Sequence, residues 1–517
     1  SDISACFTFR GSNYKIYFLD KFFTSEQSEG TIRGSLVNSL LDLRLKNPNY
    51  DYEELFKLAI EQNLLKLSTI NKTLLDKIHD DISSRHFPQI VKFTDALLNI
   101  KEKNDVNITI EPTFYSEIYG IQGRLDLLVE FSEEPLKKEI VELKSGSPPN
   151  YGAWKNDLMQ AVGYDLMLQS VFGKNRRGSN NIFYSASSDN MYRNVVRSES
   201  LESEFCRVRN LIVLEIIKQA NGDYYFYENF SVEKFGDYPV YLKDKIQYFY
   251  KVISNLDEEE LCYFKLLCRF VWNELLAVKL GVRQELNQSK YGFSSLWNET
   301  YEDKIESFSI LGELKFASKS ENGDFVFSYN GTATNFRAND IGVIYKVEAD
   351  SENPLRQQIY KCNVKEISNN YVVVSLRNEQ LNNILFNAEE TYAIEHDMFD
   401  SNYFSSLKSI FSFFSSFKEI RNKILGKTFP NDISINNDDL IYIDKYINKA
   451  DSANNYFLLQ GPPGTGKTST FLIKYLYKIL DNKNNTVLIL TFTNRALEEI
   501  VKHLLNNEDD FILFSNT

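Results

Sequence analysis

The sequence has few of the residues that hold metal clusters. Among 517 residues there are five cysteines and four histidines, and no C-x-x-C pair occurs. Scattered cysteines favour buried, reduced thiols in a reducing compartment, and the histidines lack the spacing of metal ligands. We therefore expect neither a zinc site nor an iron–sulfur cluster. The residues concerned are Cys6, Cys206, Cys262, Cys268 and Cys362, with His79, His86, His396 and His503.

Long apolar runs and a positive net charge are also absent. No apolar run reaches the roughly 18 residues that a membrane span needs, and no signal peptide is recognisable, so we predict a cytoplasmic protein. The formal charge of −13 argues against coating nucleic acid with charge, although a few placed lysines and arginines could form a local groove. Hydrophobic and charged contents of 43% and 25% are typical of a globular chain. Its length predicts roughly three or four domains.

A glycine-rich pattern occurs in residues 456–468, which read YFLLQGPPGTGKT. The part from Gly461 to Thr468 fits G-x-x-x-x-G-K-[ST], with an apolar strand before it and a helical stretch, 469–480, after it. Glycines let the backbone fold tightly, so that its N–H groups and the positive end of the helix point at phosphate oxygens. The pattern predicts a nucleotide triphosphate site. A glycine-rich turn without a ligand is the alternative.

Two residues of this loop carry its chemistry. Lys467 would reach the β- and γ-phosphates as a point charge, and the Thr468 hydroxyl would ligate Mg²⁺. We therefore predict ATP and Mg²⁺ as cofactors. The candidate nucleotide-binding residues are Gly461, Gly464, Thr465, Gly466, Lys467, Thr468 and Ser469.

A second apolar run follows the loop. TVLILTF (486–492) leads into TNRALEEIVKHLL (493–505), so two strands joined by a crossover helix predict a parallel sheet. GPPGTGKTS and TFTNRALEEI resemble the first two motifs of superfamily 1 helicases, in the branch of RNA-surveillance helicases and flap-trimming nuclease-helicases. The resemblance implies that Thr491, Thr493 and Asn494, with Arg495 as a weaker candidate, contact a single strand. The alternative for this turn is an ordinary helix cap.

The sequence departs from that family in two ways. Asp439 stands where such helicases usually carry a glutamine that reads adenine, which puts base selectivity in doubt. The chain reaches Thr517 soon after the second motif, before an acidic Mg²⁺-holding motif, a water-positioning residue or an arginine finger. We therefore expect a truncated motor that does not turn over ATP unaided.

A second candidate site lies in residues 111–164. GRLDLLVEF and KEIVELKSG are alternating apolar runs separated by the turn-prone SEEPLK, which predicts a hairpin. Asp126 is placed in the first strand, and Glu142 and Lys144 share one face of the second. Two carboxylates suit Mg²⁺ or Mn²⁺, and a lysine can steady the attacking water. The chemistry predicted is phosphodiester cleavage.

This stretch resembles the PD-(D/E)xK nucleases of the RecB type. There an aspartate and E-x-K precede a helix bearing Q-x-x-x-Y, matched here by Gln160 and Tyr164, which share a helix face. The resemblance implies that Asp126 and Glu142 hold the metal, Lys144 assists attack, and the Q-x-x-x-Y pair positions the strand.

An earlier helix of that family often supplies a histidine ligand. In the corresponding run, RGSLVNSLL (33–41), Asn38 takes its place, so metal affinity is in question. Two alternatives stand beside an active nuclease. One is a degenerate domain that binds DNA without cutting it. The other is a solvated Glu142–Lys144 pair beside an ordinary helix surface.

The remaining chain predicts connecting modules. Short alternating strands with Asn, Gly and Asp between them predict a small β-barrel, and the Phe-rich face of 403–425 is expected to pack on the barrel or the stalk. A Gly-, Asp-, Tyr- and Pro-rich interval around 220–240 indicates a boundary. The domains predicted are 1–235 (nuclease), 236–308 (helical stalk), 309–400 (β-barrel), 401–430 (helical connector) and 431–517 (part of a RecA-like helicase lobe).

These patterns together predict a multidomain α/β protein with a restriction-endonuclease-like nuclease core, a helical stalk, a small β-barrel and the first part of a RecA-like P-loop motor lobe. The function predicted is an ATP-dependent DNA nuclease-helicase acting on single-stranded DNA, or on DNA with a single-stranded end or flap. Repair, replication-intermediate processing and defence all fit. One alternative is a DNA or RNA helicase with an inert nuclease-like module. Another is a scaffold that clamps DNA when nucleotide is bound.

Overall fold

The chain forms two compact units in a computed structural model, residues 1–415 and 416–517. The structure describes residues 2–24, 28–68, 70–103, 106–281, 292–331, 333–348, 353–378, 380, 385–398, 400–428, 442–453, 456–462, 464–482, 484–492 and 494–505. Among the helices in these ranges, none is both long and apolar enough to cross a bilayer.

The first unit begins with helices that cover a sheet. They are α1 (Lys15–Phe22), α2 (Glu29–Lys46), α3 (Tyr52–Gln62), α4 (Leu64–Leu67), α5 (Lys72–Asp81) and α6 (Phe87–Lys103), with a π-helical turn, Ile82–His86, before α6. Capping side chains fix several helix starts. Asp51, for example, forms a reciprocal capping box with Glu54 at the start of α3. Leu36 and Leu40 of α2 pack in one core with Ile108 and Val129 of the sheet.

The sheet has five strands. In chain order they are β1 (Val106–Ile110), β4 (Leu127–Phe131), β5 (Lys138–Lys144), β6 (Asn180–Tyr184) and β7 (Tyr192–Asn194), and they lie side by side in that order. Strands β2 (Thr113–Ser116) and β3 (Ile121–Arg124) pair in a separate two-stranded sheet. Only β5 and β6 are parallel in the larger sheet, and α7 (Lys155–Phe172) makes the crossover that a parallel pair requires.

The predicted hairpin is confirmed, with one correction. Strands β4 and β5 pair antiparallel, with Leu127 opposite Val141. The run GRLDLLVEF is not one strand, however, because it breaks at Leu125 and Asp126 between β3 and β4. The partner strand breaks at the same level, where Glu111 has a positive φ of 48° and its N–H donates to the Asp126 carbonyl at 2.9 Å. Asp126 therefore lies at the junction of two sheets.

A helical layer completes the first unit. It comprises α8 (Glu199–Ala220), α9 (Tyr225–Glu228), α10 (Val232–Phe235), α11 (Lys243–Ser254), α12 (Glu258–Leu280), α13 (Ser295–Asn298), α14 (Tyr301–Glu306) and α15 (Ser401–Ser415). Within the interval 220–240, Phe230 and Phe235 are buried in the same core as Phe249 of α11. The Phe-rich face packs as predicted: the Phe411 ring stacks on Phe249 with centroids 5.1 Å apart.

The predicted β-barrel is confirmed. Its strands are β8 (Ile310–Lys319), β9 (Phe325–Ser328), β10 (Ile341–Lys346), β11 (Tyr360–Ile367), β12 (Tyr371–Leu376) and β13 (Tyr392–His396), and they close in the order β10-β11-β12-β9-β8-β13. Phe327, Phe386 and Tyr392 fill the interior with ring contacts. The barrel touches the strand pair β2–β3, because Thr113 bridges Ile359 and the Tyr115 hydroxyl donates to Asp397 at 3.3 Å.

The second unit contains α16 (Lys418–Ile424), α17 (Tyr442–Ser452), α18 (Ile473–Leu480) and α19 (Asn494–Leu505). The helices predicted at 469–480 and 493–505 are confirmed, although a π-helical turn, Lys467–Leu472, precedes α18. The strands predicted at 456–460 and 486–492 are not observed. Both segments lack the ladder hydrogen bonds of a sheet within the described part of this unit.

The segment 486–492 nevertheless keeps the two-residue period of a strand. Val487 and Ile489 pack against the core formed by α18 and α19, whereas Leu488, Leu490 and Phe492 are exposed. The alternation of buried and exposed side chains is therefore that of a strand, although the described part of the unit shows no strand paired with it.

Candidate active site and phosphate loop

The carboxylates and the lysine predicted from the hairpin lie together at the junction of the two sheets. Glu142 is 2% exposed, and its Oε1 accepts hydrogen bonds from Lys144 Nζ at 2.8 Å and from Gln160 Nε2 at 2.5 Å. Asp126 Oδ2 accepts from the Leu143 N–H at 2.6 Å. The alternation of β5 thus places Glu142 and Lys144 on one face, as predicted. The interruption between β3 and β4 places Asp126 beside them.

Helix α7 supplies the other two predicted residues. Gln160 Oε1 accepts from Lys144 Nζ at 2.8 Å, and Gln160 Nε2 donates to the Tyr164 hydroxyl at 2.8 Å. That hydroxyl donates to the Arg124 carbonyl at 2.9 Å. The Q-x-x-x-Y pair is therefore part of a partly buried hydrogen-bond network. A solvated ion pair beside an ordinary helix surface does not describe it.

Burial controls the charges of this network. It raises the pKa of Glu142 to about 8, and the neighbouring charge of Asp126 adds to the rise. Burial also raises the pKa of Asp126, against the hydrogen bond from Leu143. Burial disfavours the charged form of Lys144, but Glu142 and Asp157 outweigh it and raise the lysine pKa. A cationic lysine therefore faces a carboxyl pair that holds a proton readily.

The donor set fits a hard divalent cation. Glu142 Oε2 is buried without a hydrogen-bond partner among the described residues, which leaves an oxygen able to bind a cation. In the described ranges, no three or more His, Cys, Asp and Glu side chains lie close enough to hold a metal together. Asp126 and Glu142 would therefore bind Mg²⁺ or Mn²⁺ as a pair, with water and substrate oxygens completing the shell, as Mg²⁺ commonly allows.

The sequence analysis missed two further acids near Asp126. Burial raises the pKa of Asp42, on α2, and the charges of Glu111 and Asp126 add to it. Burial likewise raises the pKa of Glu111, whose carboxylate lies 3.3 Å from Arg124 Nη1. Asn38 lies on α2 one turn before Asp42, so the two share a helix face. Asp42 could therefore have been found from the sequence, because it is an acidic residue four positions after the expected histidine position.

Asp157 was also missed. Its Oδ1 lies 3.9 Å from Lys144 Nζ, and its Oδ2 accepts from the Tyr184 hydroxyl at 2.8 Å. Asp157 precedes Gln160 by three residues on α7, so helical spacing places both on one face of that helix.

The phosphate loop has the tight conformation that its glycines predict. Gly464 and Gly466 have φ angles of 82° and 79°, which favour glycine. A Cβ at Gly466 would lie 2.9 Å from Thr470 Oγ1. Lys467 Nζ donates to the carbonyls of Gly461 and Pro462, the latter at 2.7 Å. The ammonium is thus held inside the loop, where it could exchange carbonyl oxygens for phosphate oxygens.

The other predicted loop and strand-contact residues differ in how fully they are described. Thr468 and Ser469 lie in the π-helical turn after the loop, and the Thr465 hydroxyl donates to the Pro462 carbonyl at 2.8 Å. Thr491 is in the segment before α19, and Asn494 begins that helix. Thr493 and Asp439 lie outside the described residues, as do the side chains of Asn494 and Arg495.

Comparison with known proteins gives a match within the second unit. The family model AAA_11, described as an AAA domain, matches residues 434–513, which include the phosphate loop and α19. No curated protein matches the chain. The matched region fits a superfamily 1 helicase-type P-loop domain, a class that binds ATP and acts on nucleic acid.

Proposed function

We propose that the chain is an ATP-dependent DNA nuclease-helicase, in which a metal-dependent nuclease is joined to a superfamily 1 motor lobe. One observation carries the nuclease part: Asp126, Glu142 and Lys144 meet Gln160 and Tyr164 in one partly buried cluster. Buried titratable groups with strongly shifted pKa values are typical of catalytic sites. The match of residues 434–513 supports the motor part.

The reaction proposed is hydrolysis of a phosphodiester. A divalent cation held by Asp126 and Glu142 would supply Lewis-acid stabilisation and activate the attacking water. Water attacks phosphorus, one P–O ester bond breaks, and the departing oxygen takes a proton, leaving a phosphate monoester and a hydroxyl. The Lys144 ammonium faces the site and neutralises charge that develops on the phosphate. Gln160 holds Lys144 and Glu142 in place, and Tyr164 ties Gln160 to the Arg124 backbone.

The motor would feed the nuclease. Lys467 and Thr468 would bind the ATP phosphates and Mg²⁺, and Thr491, Thr493 and Asn494 would contact the strand. A motor that moves single-stranded DNA past a fixed cutting site turns ATP hydrolysis into processive or length-controlled cleavage. The substrate proposed is single-stranded DNA, or an end or flap of it, and the process is repair, replication-intermediate processing or defence.

The second candidate is a DNA or RNA helicase whose nuclease-like part only binds nucleic acid. Two observations favour it: Asn38 stands at the family's histidine position, and among the residues that the structure describes no third His, Cys, Asp or Glu completes a metal-binding group with Asp126 and Glu142.

The deciding experiment incubates the chain with end-labelled single-stranded DNA and Mg²⁺ or Mn²⁺, without ATP. We expect cleavage that Glu142→Gln abolishes. Glu139→Gln is the matched control, because Glu139 lies on the same strand outside the network. Intact DNA with either metal would reject the nuclease and favour the helicase with an inert module.

A further inference from the structure

The loop that follows Lys144 presents two exposed aromatic side chains. Residues 145–154 read SGSPPNYGAW and connect β5 to α7. The Tyr151 side chain is 93% exposed and the Trp154 side chain 45% exposed. Large aromatic rings in water forfeit the burial that normally stabilises them. Two of them on a ten-residue loop beside a candidate active site therefore suggest a ligand that covers them.

Trp154 is held in place by hydrogen bonds. Its main-chain N–H donates to the Tyr184 hydroxyl at 3.3 Å, and its indole Nε1 donates to the Ser147 carbonyl at 2.9 Å. The Tyr184 hydroxyl donates in turn to Asp157, whose other oxygen lies 3.9 Å from Lys144 Nζ. Polar contacts through two residues, Tyr184 and Asp157, thus connect the start of α7 to the proposed catalytic lysine. They fix the position of the Trp154 ring relative to Lys144.

A positive charge lies at the base of the same loop. Arg193, on β7, directs Nη2 to the Pro149 carbonyl at 3.5 Å. Its Nε is buried and has no hydrogen-bond partner among the described residues. Burial and the charge of Asp157 raise the pKa of Tyr184, the residue that holds Trp154, and the nearby charge of Arg193 acts against that rise. Aromatic faces beside a guanidinium suit a ligand with flat rings and a negatively charged backbone.

We infer that Tyr151 and Trp154 stack on the bases of a single-stranded nucleic acid, with its phosphates at Arg193, as the strand enters the site at Lys144. This inference rests on the proposed nuclease function. Stacking on base faces tolerates any sequence, and it requires bases that are not already stacked inside a duplex. The loop therefore selects single-stranded over double-stranded substrate.

The fluorescence of Trp154 can report the binding of DNA to the loop. The chain has three tryptophans; Trp272 is fully buried and Trp297 half-buried. The full chain is titrated with oligothymidylate in EDTA, so that metal-dependent cleavage cannot occur, while tryptophan emission and binding of labelled DNA are recorded in parallel. We expect quenching by the single strand and none by a duplex. Trp154→Phe should abolish the quenching and leave affinity within about threefold, because phenylalanine still stacks.

Affinity is tested with truncations. Trp154→Ala and Tyr151→Ala should each weaken binding of the single strand by roughly tenfold, the lower range of one lost stacking contact. Tyr225→Ala is the control, because Tyr225 is an exposed aromatic on α9. Tyr151→Ala keeps the test valid if Trp154→Ala fails to fold. Unchanged emission with bound DNA, or unchanged affinity in Tyr151→Ala, would overturn the inference.

The two proposals fail separately. Quenching without metal-dependent cleavage would retain the stacking site and reject the nuclease. Glu142-dependent cleavage with unchanged emission would retain the nuclease and reject the stacking site.

Discussion

The Nζ atom of Lys144 lies 2.8 Å from Oε1 of Glu142, and both side chains leave the same face of β5. Burial and the charge of Asp126 nevertheless raise the pKa of Glu142 to about 8, so the ammonium only partly offsets them. Without a cation, the pair of carboxyls therefore retains a proton to a higher pH than an ordinary aspartate and glutamate would. A cation that binds there must displace this proton.

This competition predicts a pH-dependent metal affinity. A carboxyl with a raised pKa binds metal more weakly as the pH falls below that value, by up to about tenfold per unit. We expect apparent Mg²⁺ or Mn²⁺ affinity to rise from pH 6.5 to about 8 and then level off. Calorimetry in two buffers of different ionisation enthalpy should show proton release near pH 7. Equal affinity at pH 6.5 and 8, or equal proton release by Glu142→Gln, would contradict the assignment.

Removing the lysine should slow cleavage strongly without disrupting the sheet. Lys144→Met keeps the length of the side chain and removes its charge, so the single-turnover rate should fall by about 100-fold or more. In this variant Glu142 no longer has the Lys144 ammonium beside it, so its carboxyl stays protonated to a higher pH. Lys138→Met, on the same strand, removes a lysine that pairs with Glu130 instead, and its cleavage rate should stay near wild type. Equal rates for the two variants would remove Lys144 from the mechanism.

The hairpin and α7 could be predicted because their patterns are local: alternating apolar residues around a turn, and a helical run that carries Gln160 and Tyr164 on one face. The break at Asp126 could not, since alternation continues through it. It depends on Glu111, whose positive φ lets the partner strand change sheets at the same level. A conformation that depends on the pairing of two distant segments cannot be predicted from the sequence of either segment alone.

The site shows the same division. The residues predicted from E-x-K on β5 and from Q-x-x-x-Y on α7 lie in one network. Each motif has the spacing of its own strand or helix, so its residues could be found from the sequence. Asp42 and Asp157 lie outside those motifs, and only the packing of α2 and α7 on the sheet brings their charges near Asp126 and Lys144. In the second unit, the apolar run 486–492 predicted a strand, but pairing depends on neighbouring strands that the described part of the unit does not provide.

A buried histidine should make the first unit sensitive to acid. The His86 ring is fully buried with Nδ1 2.8 Å from Ser185 Oγ, and Ser185 N–H donates to the Lys144 carbonyl at 3.0 Å. Burial lowers the pKa of His86 from 6.5 to about 4. The charge of Asp81 acts to raise this pKa, whereas the charges of Arg33 and Arg85 lower it further.

Because the pKa is lower in the folded state, folding excludes the proton. The stabilisation is complete above pH 6.5 and is lost as the pH falls toward 4. We expect a loss on the order of 2 kcal/mol from this group. The measurement is the first thermal transition of the chain against pH, for wild type and for His86→Gln, which cannot titrate. Parallel curves for the two proteins would show that His86 does not contribute.

The phosphate loop gives a test that separates backbone strain from ligand binding. Gly466 and Gly426 both have positive φ, 79° and 71°, but a Cβ at Gly466 meets Thr470 whereas nothing lies within 4 Å of one at Gly426. Alanine at either position should cost about 1 kcal/mol through its left-handed conformation. Only Gly466→Ala should also displace the turn that carries Lys467, and it should weaken ATP binding at least tenfold. Fluorescent-nucleotide titrations of both variants measure this. An equal loss of affinity in Gly426→Ala would mean that general destabilisation of the second unit, and not the shape of the loop, limits nucleotide binding.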